Sequence, residues 1–182
     1  MTRLPDHPIL NTATIVTIPN VGHPLHHFGH YYGTACRFLD EAKARGKDLL
    51  LDIDVQGAEQ VREKVPDAVS IFVMPPNKEI LERRLRRRSQ TEKMDPKVIE
   101  RRLENAEKEI VNYNKYGYIL VNKILEKAVD ELKAIVLSER TRRSGKAPTA
   151  EDQELERIAE GSLLSRSHEK VQPVLQSFRT NL

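Results

Sequence analysis

Apolar residues along this chain fall into two patterns. The first is the short continuous run: Leu49 to Ile53, Val69-Ser70-Ile71-Phe72-Val73-Met74, and Tyr118-Ile119-Leu120-Val121. Runs this short, rich in β-branched and aromatic residues and stopped by Pro75-Pro76 in the second case, predict strands buried on both faces, as in a parallel sheet. The second pattern has helical spacing. Ala35 to Ala44 carries Phe38, Leu39 and Ala42 on one side and stops at Gly46. Gly57 to Lys64 predicts a helix ended by Pro66. Lys78 to Arg88 predicts another, with Asn77 as its N-cap. Pro96 to Val111 follows Asp95, a cap with proline at the first helical position. Leu125 to Arg140 places Leu125, Ala128, Val129, Leu132, Ile135 and Val136 on one face. Strands alternating with helices predict an α/β domain built on a parallel sheet flanked by helices.

Both ends depart from this regularity. Pro5, Pro8, Pro19 and Pro24 leave residues 1–28 no room for a long helix, and Thr14 to Ile18 suits one short strand. This segment is expected to be atypical of the domain that follows. Ser144 to Pro148 reads as a linker. Thr149-Ala150-Glu151-Asp152 has the form of a capping box with Asp in the fourth place, opening a polar helix to about Ala159. Residues 144–182 are therefore expected to form a polar, partly helical, mobile tail.

Composition narrows the class. The 182 residues are 31% charged and 38% hydrophobic, with no tryptophan, so aliphatic side chains must build one modest core. A net charge of +3 suits handling of phosphorylated ligands without demanding it. The single Cys36 excludes an internal disulfide and agrees with a cytoplasmic setting. No apolar run is long enough to span a bilayer, so no membrane partner is expected. His23, His26, His27 and His30 lie close together, but Pro24 interrupts them and no cysteine is in phase; no metal site is expected there.

Three features carry chemistry. Asp52 and Asp54 sit at the carboxyl end of an apolar strand, two residues apart and thus on one face. Open α/β sheets bind ligands at that edge, where carboxylates hold water around Mg²⁺ or accept hydrogen bonds from a base. The alternative is a strand ending in solvent with Asp54 capping the next helix. Tyr31-Tyr32-Gly33-Thr34 places two hydroxyl donors around a glycine, suited to an anion or to an ordinary turn. Arg83, Arg84, Arg86, Arg87 and Arg88 crowd one helix, and Arg101 and Arg102 follow after a polar connection. Arginine forks match phosphate oxygens, and two such helices would make a lid. A solvated basic helix end and a nucleic-acid patch are the alternatives. Glu100, Glu104, Glu107 and Glu109 interrupt any continuous basic surface, so nucleic acid is not the expected partner.

Taken in order, these pieces resemble a guanylate kinase from about Gly29 to about Arg143: Tyr-Tyr-Gly-Thr, Leu-Asp-Ile-Asp-Val-Gln-Gly, Ile-Phe-Val-Met-Pro-Pro, the arginine helices, and Tyr-Ile-Leu-Val-Asn. The resemblance implies a P-loop-kinase-like fold with a helical lid, and phosphorylation of GMP to GDP by ATP with Mg²⁺. It implies that Tyr32 and Thr34 contact GMP, that Asp54 recognises guanine, and that Asp52 lies nearer the metal and phosphates. It casts Arg84, Arg88 and Arg102 as the arginines that stabilise the transferring phosphoryl, and Asn122 as the asparagine beside the adenine. The sequence departs from the family in lacking any Gly-x-x-x-x-Gly-Lys-Ser/Thr, in Lys123 after Asn122, and in Gly117 before the last strand. The expectation is a domain without its first, central strand and phosphate loop, and so inactive as this chain. The alternative expectation is a non-catalytic module that binds a nucleotide or a protein.

Overall fold

The computed structural model describes residues 13–18, 41–42, 44–92 and 95–179. The three strands expected from continuous apolar runs form at the expected places: β2 (Leu49–Ile53), β3 (Val69–Met74) and β4 (Tyr118–Val121). They run in one direction, and β3 pairs with β4 in parallel, Phe72 opposite Ile119. The strand expected near residue 14 is also present, as β1 (Ala13–Ile18). The sheet order is β2-β1-β3-β4. The expected parallel sheet is thus obtained in β2, β3 and β4 but interrupted by β1. That strand sits at the centre and runs antiparallel to both neighbours, Val16 opposite Leu51 on one side and Ser70 on the other. Antiparallel pairing is slightly the better per residue, and a connection of some thirty residues to β2 can deliver either polarity.

Helices cover the two faces. They are α1 (Val55–Lys64), α2 (Lys78–Glu92), α3 (Pro96–Ile110), α4 (Leu125–Ser144), α5 (Ala150–Glu160) and α6 (His168–Arg179). Strand alternation sorts the core. Leu51, Phe72, Met74 and Ile119 point to the face covered by α1, α2, α3 and α6, meeting Ala58, Leu81, Leu85 and Ile110. Ile71, Tyr118 and Leu120 point to the other face, meeting Ala128 and Ile135 of α4 and Ala159 of α5.

The helix starts follow their sequence signals. Asn77 Oδ1 accepts from the Ile80 N–H at 2.7 Å, and Asp95 caps α3 by accepting from the Lys97 N–H. Thr149 and Asp152 close a complete capping box. Gly145 ends α4 with φ of +65°, a left-handed conformation that a side chain would strain.

Residues 144–179, the described part of the segment read as a polar tail, contain α5 and α6, and α6 is packed into the domain. Val171, Val174, Leu175 and Phe178 of α6 are buried in the same core as Leu81 and Leu85. Ser162 to Leu164 lie along the outer edge of β4: the Ile119 N–H donates to the Ser162 carbonyl at 2.7 Å, and the Leu164 N–H to the Gly117 carbonyl at 2.9 Å. Among the described residues no helix is long and apolar enough to cross a membrane.

At the far end of β4, Glu139 of α4 is buried at 7% exposure. Its carboxylate accepts from the Tyr118 hydroxyl at 2.6 Å and from Arg142 Nη2 at 2.5 Å, while Arg143 lies 3.5 Å away and donates to the Asp67 carbonyl. Burial alone would raise the pKa of Glu139. The hydrogen bonds from Tyr118 and Arg142, with the charges of Arg142 and Arg143, outweigh it and hold the carboxyl below its ordinary value. A depressed folded-state pKa contributes stability above the unfolded value, near 4.3, that is lost as pH falls through the folded one. Glu139→Gln is expected to cost about 1–3 kcal/mol at neutral pH. In urea melts the gap between wild type and variant should shrink as pH falls below about 4; a gap that stays constant with pH contradicts this reading.

Candidate functional site

β2, β3 and β4 share one carboxyl edge, and the residues leaving it are the chemically marked ones. β2 delivers Asp52 and Asp54, β3 delivers Pro75 and Pro76, and β4 delivers Asn122 and Lys123. The Asn122 N–H donates to the Met74 carbonyl at 2.9 Å, which fixes the ends of β3 and β4 to each other.

Above these two strand ends lies a cleft of about 320 Å³. Pro76 and Ile80 form its apolar part, and Arg83, Arg84, Arg87 and Lys123 its cationic part. The α2 residues recur at positions 80, 83, 84 and 87, one face of a helix, while Leu81 and Leu85 hold the opposite face in the core. Arg84 Nη2 donates to the Lys123 carbonyl at 3.3 Å, so the guanidinium reaches across the cleft from α2 to the segment after β4. Arg86 points elsewhere and pairs with Glu82 on its own helix. Asn122 Oδ1 is buried without a hydrogen-bond partner among the described residues. A buried carbonyl oxygen left so costs about 1–3 kcal/mol.

The expected site residues separate into groups. Arg84 lines the cleft, and Asn122 immediately precedes the lining residue Lys123 without lining the cleft itself. Arg88 lies one turn beyond Arg84 on α2, half-buried, and Arg102 is half-buried on α3; neither lines the cleft. Asp52 is exposed on β2, on the face opposite Leu51. Asp54 is the N-cap of α1, its Oδ1 accepting from the Gly57 N–H at 2.7 Å. The helix-capping alternative is therefore realised for Asp54. Gly57 fits this turn because a Cβ there would stand 3.1 Å from that same oxygen. β2 and β4 are three strand spacings apart, about 14 Å, so the acidic pair and the cationic cleft sit at opposite ends of one edge. Tyr32, Thr34 and the clustered histidines lie outside the described residues. Arg83, Arg87 and Lys123 are the charged lining residues that the expected set omits. The first two were legible as a helical stripe with Ile80 and Arg84; Lys123 carried no signal beyond following Asn122.

The lid expectation is met in part. α2 and α3 carry the arginines, yet their apolar faces are buried and Lys78 forms an ion pair with Glu107. α2 forms a wall of the cleft, and α3 packs beside it on the core.

Comparison with known proteins decides the family. The sequence model described as guanylate kinase matches residues 24–139. The chain belongs to the guanylate kinase family. It is 51% identical over 152 residues to a protein named guanylate kinase from Koribacter versatilis, covering 84% of this chain and 65% of that one. It is 46% identical over 120 residues to a guanylate kinase from Photorhabdus laumondii, covering 66% and 56%. A guanylate kinase from Syntrophotalea carbinolica is 50% identical over 116 residues, covering 64% and 54%. The chain thus spans between about half and two thirds of the length of these guanylate kinases. The cleft, from Pro76 to Lys123, falls inside the family match, whereas β1, α5 and α6 fall outside it.

Proposed function

We propose that this chain carries the nucleotide-recognition part of an enzyme that moves the terminal phosphoryl of ATP to GMP. The observation that carries the reading is the cationic cleft at the carboxyl ends of β3 and β4, with Asn122, whose Oδ1 is buried without a partner among the described residues, next in sequence to the lining residue Lys123. Adenine offers an amino group to such an oxygen, and its phosphates suit Arg83, Arg84 and Arg87. Arg84, Arg88 and Arg102 would neutralise charge on the transferring group. Tyr32, Thr34 and Asp54 would hold GMP; a carboxylate has about four acceptor positions, so capping α1 does not exhaust Asp54. Exposed Asp52 fits a role at Mg²⁺, an ion that keeps several waters and needs only one or two carboxylates besides phosphate oxygens. The ion would offset negative charge on those phosphates. ATP and GMP as substrates support a cytoplasmic setting as part of this proposal.

The 182 residues contain no Gly-x-x-x-x-Gly-Lys-Ser/Thr. Phosphoryl transfer rests almost wholly on positioning and electrostatics, which that loop and its lysine supply. On this reading the chain by itself binds adenine nucleotide and does not turn GMP over at a useful rate. A non-catalytic module that binds a nucleotide or a protein is the second reading, favoured by the same missing motif. Calorimetric titration with ADP is expected to give a Kd tighter than about 1 mM, near −4 kcal/mol or better. No binding at millimolar ADP would remove the adenine nucleotide from both readings.

A further inference from the structure

The C-terminal segment touches both walls of the cleft from behind. Ser162 to Leu164 pair with the outer edge of β4, which leads straight into Asn122 and Lys123. The Ser162 hydroxyl also donates to Glu131 of α4 at 3.2 Å, and Lys170 Nζ donates to the Gly161 carbonyl at 2.9 Å. From there α6 crosses to α2. Val171, Val174, Leu175 and Phe178 enter the core beside Leu81 and Leu85. Ser177 then meets the first turn of α2. Its hydroxyl donates to the Val174 carbonyl at 2.6 Å, so its oxygen lone pairs remain to accept the Lys78 N–H at 3.0 Å. That N–H is one of the first four of the helix, the ones for which α-helical geometry offers no carbonyl four residues back. The adjoining cap, Asn77 to Ile80, comes from α2's own flank, whereas Ser177 comes from the far end of the chain. One element outside the family match therefore fixes the β4 wall at one end and the α2 wall at the other.

We infer that the C-terminal segment from Ser162 to Phe178 is a brace that sets the position of the cleft walls, with Ser177 as the positioning residue for the arginine face of α2. This rests on the nucleotide reading above for its ligand, not for its geometry. Arg83, Arg84 and Arg87 project from a helix whose first turn is held by that hydroxyl, by the Asn77 cap and by the Lys78–Glu107 ion pair. Loss of the hydroxyl releases the first turn and blurs the placement of guanidinium groups one to three turns on. Preorganised groups lose affinity when their support loosens, even though no ligand contact is removed.

The test uses the full chain as wild type, Ser177→Ala and Ser177→Thr, with two readouts on the same samples. One is calorimetric titration with ADP; the other is amide hydrogen exchange over residues 78–87. The brace predicts that Ser177→Ala weakens ADP about fivefold and speeds exchange in that stretch about as much, the loss of one hydrogen bond. Threonine, which keeps the hydroxyl, restores both. ADP affinity and exchange equal to wild type in Ser177→Ala overturn the brace. So does a variant whose exchange quickens uniformly across the chain, since that marks general destabilisation. Wild type failing to bind ADP while alanine still quickens exchange only in α2 removes the nucleotide reading and leaves the brace standing.

Discussion

Phe178→Ala lowers the unfolding free energy of the full chain by about 3 kcal/mol, the lower end of the range for a buried phenylalanine truncated to alanine. The lower end applies because Phe178 keeps 9% of its surface exposed, so the vacated space opens partly to solvent. The ring packs in the main core with Val171, Val174 and Leu175. An unpacked tail would give a change within about 0.5 kcal/mol. In urea, with a denaturant slope of about 2 kcal/mol per molar, the transition midpoint moves down by about 1.5 M. An unshifted midpoint would mean that α6 does not belong to the cooperative core.

Arg84→Glu combined with Arg87→Glu weakens ADP binding by about 100-fold or more. Each charge-assisted hydrogen bond lost is worth about 1.5–3 kcal/mol, and two at the lower figure give about 3 kcal/mol, or roughly 150-fold. Reversing the charge adds repulsion of the phosphates. The loss should shrink as salt is raised, because the cleft opens to solvent and the Debye length falls from about 10 Å at 0.1 M to about 3 Å at 1 M. Arg157→Glu combined with Lys133→Glu, exposed residues that pair with Glu154 on α5 and Asp130 on α4, provides the comparison at equal change in net charge and should leave ADP affinity within twofold. Equal loss from both variants would mean that only overall charge matters and that the cleft is not the site.

Much of the fold was legible because local rules decide it. Five apolar residues out of six in Val69–Met74 leave little alternative to a buried strand, and Asn77, Asp95 and Thr149 act at the helix starts they mark. The direction of β1 was not legible, since polarity is fixed by its partners β2 and β3 rather than by its own residues. α6 concealed itself for a different reason. His168, Glu169, Lys170 and Gln172 make its start polar, and Pro173 interrupts the run, although 171, 174, 175 and 178 have the spacing of one helical face. At the site, local chemistry again ranked the possibilities without choosing among them. Asp54 after a strand serves equally as a ligand group and as a cap, and the Gly57 N–H at 2.7 Å shows the cap in use. Arg86 and Arg87 are neighbours in sequence, but helix geometry sends one to Glu82 and the other to the cleft.

The most direct test of the account is a coupled assay of GMP-dependent ADP production by the purified 182-residue chain with ATP and Mg²⁺, free of contaminating kinase. The account predicts no production above the no-GMP control, because the cleft, the arginines and the acidic pair are present without a phosphate-cradling loop. Sustained GMP-dependent turnover at an ordinary enzymatic rate, on the order of 1 s⁻¹ or faster, would contradict it and require that other groups of this chain hold the phosphates of ATP.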